Sequence, residues 1–335
     1  MKRPSCEQQP LAEFPAQIAA TLRRATGGRN LLARQQLGVV LALVLLIFVA
    51  TFVSDRFLTV PNLLNILRQV SIVGILAVGQ TFVILTAGID LSVGAILGVS
   101  VVLFASLLER HSMGVTIPLG LLAGVAGGFI NGIGVAYARI PAFIMTLGML
   151  SFARGLAFIH TGGTPIPILN ENFYDVGNGY ILGLPIPALF LIGTLLVSAV
   201  ILQITPFGRS VYAIGSNEDA ARLSGVPVRR YKLLVYVVSG FLAALAGLVY
   251  ASQLSVGTPI AGQGYELDAI AAVVVGGTSL FGGKGSVFGT FIGTLIIGIL
   301  ANILNLTGVD PFVQQLFKGA LIVVAVYVMS RSNRA

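Results

Sequence analysis

Residues 70–89 read VSIVGILAVGQTFVILTAGI, twenty positions without a charged side chain. As an α-helix this run is about 30 Å long, the thickness of a bilayer's hydrocarbon core. Lipid offers no hydrogen bonds to the backbone, so such a run must pair its amides internally, as a helix does. It is not uniformly apolar: Gln80, Thr81 and Thr86 lie within it, and Asp90 and Ser92 follow at once. The stretch therefore predicts a membrane span with neutral polar groups inside it and a polar junction at its end.

Comparable runs occupy residues 37–53, 91–108, 115–138, 140–159, 182–205, 233–252, 269–281, 285–306 and 311–329. With 70–89 they define an all-α, polytopic integral membrane protein of about 10 transmembrane helices. The run at 269–281 spans only about 20 Å as a helix, so a tilted, broken or re-entrant segment is expected there. Composition agrees: 56% of the 335 residues are hydrophobic and 10% charged, against roughly 45–50% and 25% in soluble domains. A soluble chain of this make-up would need a very large core with almost no polar cover.

Orientation follows from the short loops, because Lys and Arg stay on the cytoplasmic side. With the N-terminus inside, fifteen basic residues fall in inner segments, while the outer ones hold only Arg56, Arg68 and Arg110. Both termini are then cytoplasmic. Residues 1–36 form a basic N-terminal extension whose Arg23, Arg24 and Arg29 suit the anionic lipid of the inner leaflet or a partner. Residues 37–335 form the transmembrane domain, with an inner loop at 206–232. Of the two cations within spans, Arg154 is expected to snorkel outward and Lys318 to face a neighbour or water. The net charge of +8 lies between apolar runs and so calls for no nucleic acid. One cysteine, Cys6, and two histidines, His111 and His160, leave no disulfide, no metal site and no need for a cofactor.

Gly120, Gly124, Gly128 and Gly132 recur every four residues, a face on which another helix backbone can approach closely. Gly94/Gly98 and Gly289/Gly293 repeat the spacing. The segments 86–94 and 276–289 are both glycine-interrupted turns between apolar runs, a pattern that fits a transport pathway or simply tight turns. Candidate pathway groups are Gln80, Thr86, Asp90, Ser92, Asn131, Asn302 and Asn305. Neutral amides and hydroxyls suit a neutral polyol better than a carboxylate. Each also suits helix–helix hydrogen bonding, and Asp90 suits a cap on the helix after it.

The inner loop contains a short helix signal. Ser216 or Asn217 can cap it, Glu218 and Asp219 favour its positive end, and Gly225 before Pro227 closes it. A near-match to a phosphate loop at Gly283-Lys284 fails: Thr278 stands where the first glycine belongs, and Gly285 replaces the Ser or Thr. Any ATP-derived energy must come from another polypeptide.

Three segments carry a resemblance: AVGQTFVILTAGIDLSVGA at 77–95, GSNEDAARLSGV at 215–226 and GYELDAIAAVVVGGTSLFGGKGS at 264–286. In this order they resemble the ribose-type permeases of bacterial ATP-binding-cassette importers, within the broader branched-chain amino acid and monosaccharide permease family. The likeness runs from about residue 37 to the C-terminus. It implies an inner-membrane homodimer of permeases, a cytoplasmic ATP-binding subunit, a periplasmic sugar-binding protein and transport by alternating access. It also implies that Gly215, Asn217, Glu218, Ala221, Arg222, Ser224 and Gly225 face the ATPase. The competing reading is a secondary sugar transporter driven by an ion gradient. Such proteins place ionisable groups within the bilayer, whereas the acids here fall in loops or at helix ends.

Overall fold

The structure, a computed structural model, describes residues 36–332; apart from Gln36, the basic N-terminal extension lies outside the described residues. In chain order its elements are α1 (Gln36–Val53), α2 (Val60–Leu85), α3 (Val93–Leu108), α4 (Met113–Ala136) and α5 (Ala142–Thr161). Then come β1 (Ile166–Pro167), α6 (Glu171–Asn178), β2 (Tyr180–Ile181), β3 (Leu184–Pro185) and α7 (Ile186–Ile204). The remainder is α8 (Pro206–Ser216), α9 (Glu218–Leu223), α10 (Val228–Leu254), β4 (Val256–Gly257), α11 (Tyr265–Val275), α12 (Val287–Leu306) and α13 (Pro311–Ser332). Two-residue strands pair antiparallel as β1–β4 and β2–β3. Each of the ten apolar runs carries a helix. Among the described residues, seven are long and apolar enough to cross a membrane: α1, α2, α4, α5, α7, α10 and α12. The chain is an all-helical, multi-pass membrane protein.

The centre is built from α2, α10 and α12, most of whose residues are buried, while α1, α4, α5 and α7 form the outside. Exposed apolar side chains such as Leu45, Phe52, Leu122 and Leu196 cover that outside. In a bilayer this costs nothing, because acyl chains replace water as the solvent there.

Glycine sets how closely the helices approach. A Cβ on Gly124 would strike the Gly240 carbonyl of α10, one on Gly128 the Tyr236 carbonyl, and one on Gly132 the Leu233 backbone. Gly240 in turn leaves no room over Gly124. The four-residue glycine face expected on α4 thus packs on α10, with Gly120 against the Phe104 ring of α3. Gly289 and Gly293 of α12 rest on Gly276 and Ala272 at the end of α11.

Several expectations are corrected. Helix α2 starts ten residues before the apolar run, launched by Pro61 in its first turn, and so includes Asn62, Asn65, Arg68 and Gln69. Arg68, expected in an outer loop, is a helical residue. Hydropathy misses this turn because its polar groups bond to protein: Asn62 exchanges two hydrogen bonds with Asn302 (3.0 and 2.9 Å), and Arg68 donates to Asn178 O and Tyr180 Oη. Helix α7 starts late because residues 180–185 form a hairpin turning at Leu182 and Gly183, both at positive φ. Arg154 does not snorkel outward; its Nη1 donates inward to the carbonyls of Pro259 and Ala261. Lys318 faces a neighbour, Asp268, at 2.8 Å. The short run expected to be re-entrant is the 11-residue α11, about 16 Å long, entered through non-helical residues 258–264 that lie against Gly94 and Gly98 of α3.

Candidate functional site

The two glycine-interrupted turns meet in space, and the 206–232 loop sits on both. Helix α2 ends at Leu85, where Ala87 adopts a left-handed φ of 59°. Its last carbonyl, Leu85 O, accepts from the amide of Gly283 in the α11–α12 turn at 3.0 Å. Gly215 of α8 lies directly over this bond, with no space for a Cβ between Leu85 O and Gly283 N. Gly282, at φ 83°, packs on Gly215, and Tyr212 of α8 donates its hydroxyl to Gly285 O at 2.9 Å. Burial raises the Tyr212 phenol above its usual pKa.

The loop holds two helices rather than one. Thr205 caps α8 by accepting from Gly208 N, and Asn217 caps α9 by accepting from Ala220 N at 2.9 Å. Gly225, at φ 83°, ends the unit. Glu218 binds Arg222 at 2.8 Å and also takes Lys232 from the start of α10, while Asp219 reaches Arg222 at 3.4 Å. Partial burial works against charge on Glu218, but Lys232 and Arg222 outweigh it and hold the carboxyl below the ordinary carboxylate range. Ala221 packs inward with Ile214 and Val228, while Leu223 is 89% exposed. Of the expected docking residues, Gly215 thus packs against the junction, Ala221 faces inward, and Asn217, Glu218 and Arg222 form the braced outer surface.

Above the junction, the carboxylate of Asp90 is fully buried. Its Oδ1 accepts from Ser92 N at 2.9 Å and Ser92 Oγ at 2.6 Å, and its Oδ2 from Ser239 Oγ of α10 at 2.9 Å. Asn131 of α4 donates to Ser92 Oγ at 2.8 Å, and Thr146 of α5 to Ile89 O. With its amide nitrogen toward the Asp90 carbonyl, Gln80 bonds both backbone groups of Asp90 at 3.1 Å. Four of the expected pathway residues, Gln80, Asp90, Ser92 and Asn131, therefore form one network that pins the start of α3 to α2, α4 and α10. Asp90 was expected at the inner edge; the turn instead folds back so that it lies level with Gln80. Thr86 is buried with its hydroxyl on Val83 O.

Asn302 and Asn305 belong elsewhere. At the bundle end opposite α8 and α9, a cleft of about 530 Å³ opens between α2, α10, α11, α12 and α13. Asn305 lines it and accepts from Gln314 at 2.9 Å; Asn302 is joined to Asn62 nearby. The cleft also holds Asn65, Gln69, Tyr250 and Tyr265, none of which sequence reasoning proposed, and the Lys318–Asp268 pair. Arg68 Nε and Gln253 Nε2 line it without a hydrogen-bond partner. Two unmade donors in a polar cleft fit a ligand that offers acceptor oxygens. A readable signal existed: Asn62, Asn65, Arg68 and Gln69 recur at helical spacing just before the apolar run. Asp268 and Glu266, expected at a helix end, do lie in the first turn of α11. That turn starts inside the bundle, so both acids are largely buried. Among the described residues no cluster of three His, Cys, Asp or Glu side chains is arranged to hold a metal.

The family model for the permease component of branched-chain amino acid transport systems matches residues 62–326. The chain is 48% identical over 291 residues to the ribose import permease of Haemophilus influenzae, covering 85% of this chain and 90% of that one. It is 48% identical over 295 residues to the ribose import permease of Bacillus subtilis, covering 87% and 92%. Over 320 residues it is 37% identical to an L-arabinose ABC transporter permease of Azospirillum brasilense, covering 95% and 94%. No solved structure gives a significant match. Broken helices closed on a glycine junction, a braced loop at one end and a polar cleft at the other accompany a match over most of the length, and the chain belongs to the branched-chain amino acid transport system permease family.

Proposed function

We propose that this chain is the membrane subunit of an ATP-driven monosaccharide importer of the bacterial inner membrane, with a ribose-like pentose as its solute. The single observation that carries the reading is Gly215. It puts the braced α8–α9 surface in backbone contact with the ends of both broken helix pairs, so an external force on that surface reaches the membrane core without a flexible joint. Relatives named as ribose, arabinose and xylose permeases support the solute class. Neutral amides and phenols in the cleft support an uncharged polyol.

In this reading ten segments cross the membrane, with α3 and α11 entering as partial spans and both termini in the cytoplasm. The α8–α9 end, rich in Arg and Lys, faces the cytoplasm and docks a separate ATPase subunit through Asn217, Glu218, Arg222 and Ser224, with Ala221 holding α9 from its inner side. The cleft faces the periplasm and takes sugar from a binding protein. Two copies pair and alternate between outward and inward access. The Gln80–Asp90–Ser92–Asn131 network fixes the start of α3 between the two ends, and Asn305 contacts solute in the cleft.

Reconstitution with the ATPase and binding-protein partners tests this. Ribose uptake should require ATP, and Glu218→Arg with Arg222→Glu should leave insertion intact while reducing substrate-stimulated ATP hydrolysis at least tenfold. Ribose uptake driven by a proton or sodium gradient in nucleotide-free liposomes holding this chain alone would refute the proposal.

A further inference from the structure

A second, larger cavity of about 870 Å³ lies at the α8–α9 end, walled by the 86–88 turn, the end of α4, the start of α5 and the start of α10. Its charged lining is Arg139, Arg222, Arg229, Arg230, Lys232 and a single acid, Glu218. Glu218 is committed to Arg222 and Lys232. Among the described residues no carboxylate pairs with Arg139, Arg229 or Arg230.

The placement of these cations runs against local electrostatics. Arg229 and Arg230 occupy the first turn of the 27-residue α10, which has no acid there. Cations at a helix N-terminus oppose the macrodipole. Topology alone would be served by arginines anywhere in the 206–232 loop; it does not require three of them to converge on one chamber. A second observation is independent of charge. Tyr236 is 1% exposed, lines the chamber, and its hydroxyl has no hydrogen-bond partner. Gly88, also in the lining, has no side chain to cover that hydroxyl: a Cβ there would stand 2.6 Å from it. A buried hydroxyl left without a partner, in the same chamber as unpaired guanidinium groups, fits a ligand that brings both negative charge and acceptor oxygens.

We propose that this chamber is a binding site for a phosphate-bearing ligand, its phosphate held by Arg139, Arg229 and Arg230 and an oxygen of its polar body meeting Tyr236. Guanidinium forks match phosphate oxygens bidentately. The site shares Glu218 and Arg222 with the braced loop, so occupancy bears on the same surface that α9 presents. The inference stands on the chamber's chemistry and does not depend on which solute the protein moves.

The phosphate can come from an anionic lipid headgroup or from a soluble phosphate ester, and one experiment separates them. The full chain, purified and delipidated in neutral detergent, is titrated with inorganic phosphate, glycerol 3-phosphate, short-chain phosphatidylglycerol and short-chain phosphatidylcholine, with thermal unfolding as readout. Sodium chloride at matched ionic strength is the control. A phosphate-bearing anion should raise Tm saturably, and R229Q/R230Q should weaken that binding at least tenfold. R229K/R230K should fall between, because charge is kept and the fork is lost. Y236F should weaken glycerol 3-phosphate more than inorganic phosphate. Stabilisation by phosphatidylglycerol alone identifies a lipid headgroup; stabilisation by both classes identifies a site open to soluble esters. No saturable shift with any phosphate probe, a shift matched by chloride, or one unchanged in R229Q/R230Q would overturn the proposal. The arginines are exposed, so loss of folding in these variants is not expected, and a circular dichroism spectrum checks it.

Discussion

Replacing Gly215 with alanine sets two physical rules against each other. Gly215 is the penultimate residue of α8, with φ outside the left-handed region. Helix propensity alone therefore says alanine stabilises α8 by about 0.5–1 kcal/mol. The junction says the opposite. The added methyl would be driven into Leu85 O and Gly283 N, the two atoms that hydrogen-bond to each other at 3.0 Å. Both are backbone atoms, so no side-chain rotation relieves the clash. Forcing them apart costs about 1–3 kcal/mol in overpacking. An opened Gly283–Leu85 bond leaves a buried donor and acceptor unpaired, at roughly another 1–3 kcal/mol. The net is a loss of about 1–5 kcal/mol, a five-fold to several-thousand-fold shift against the closed junction at about 1.4 kcal/mol per tenfold.

Thermal unfolding of G215A should be read beside G148A, because a Cβ on Gly148 of α5 meets nothing within 4 Å. The second variant should be at least as stable as the parent, gaining up to about 1 kcal/mol from helix propensity, while the first should lose stability and at least tenfold of substrate-stimulated ATP hydrolysis by the partner subunit. If G215A proves as stable as the parent, with coupling intact, the junction is not where force passes and the reasoning fails.

Leucine at Gly128 should weaken folding by at least 1–3 kcal/mol, because its Cβ meets the Tyr236 carbonyl; leucine at Gly193, which faces open space, should not, and equal yields and melting temperatures would contradict the glycine face. Arg154→Leu removes the donor to Pro259 O and Ala261 O and should cost about 1–3 kcal/mol, with Arg154→Lys partly restoring it in the same unfolding assay. For Glu218, whose folded pKa lies below its unfolded value of 4.5, ionisation stabilises the fold. That contribution is fully present above about pH 4.5 and disappears as pH falls through the lower folded value. The stability gap between the parent and E218Q should thus stay constant from pH 8 to about 5.5 and close in acid; a gap that closes near neutrality would contradict the ion-pair geometry.

Periodicity and hydropathy made the helical class legible, and the glycine spacing on α4 identified a packing face before its partner α10 was known. What they misjudged has one physical cause. Hydropathy reads a polar residue as facing water, but Asn62, Arg68 and Arg154 face protein groups that satisfy them. The start of α2 was therefore missed, and with it the cleft that Asn65, Arg68 and Gln69 line. The same confusion misplaced depth. Asp90 and Glu266 sit at helix ends, and in a chain of unbroken spans helix ends lie at the membrane surface. Here α3 and α11 begin inside the bundle, so Asp90 is buried and Glu266 half-buried. Helix α9 was legible because capping is local: Asn217, three residues before Ala220, needs no tertiary information to be recognised. The cleft was not, because its lining comes from five helices separated in sequence.

The two ends of the molecule are joined by the same few helices. Helix α2 ends at the Gly215 junction through Leu85, and its opposite end supplies Asn65, Arg68 and Gln69 to the cleft. Helix α12 starts beside the junction, where Gly289 and Gly293 lie on α11, and its far end supplies Asn305. At 26 residues α2 is about 39 Å long, and its contacts with α12 include the buried Thr81–Thr290 hydrogen bond at 2.7 Å. A hydrogen-bonded helix of about seven turns moves as one body, so a shift or tilt imposed at one end appears at the other. Interiors packed this densely transmit such shifts rather than absorb them. The unmade donors Arg68 Nε and Gln253 Nε2 lie on α2 and α10, both of which α4 or α8 reach at the other end. Under the proposed function, solute binding in the cleft and engagement of the α9 surface are coupled through these two helices, and by linkage each alters the other.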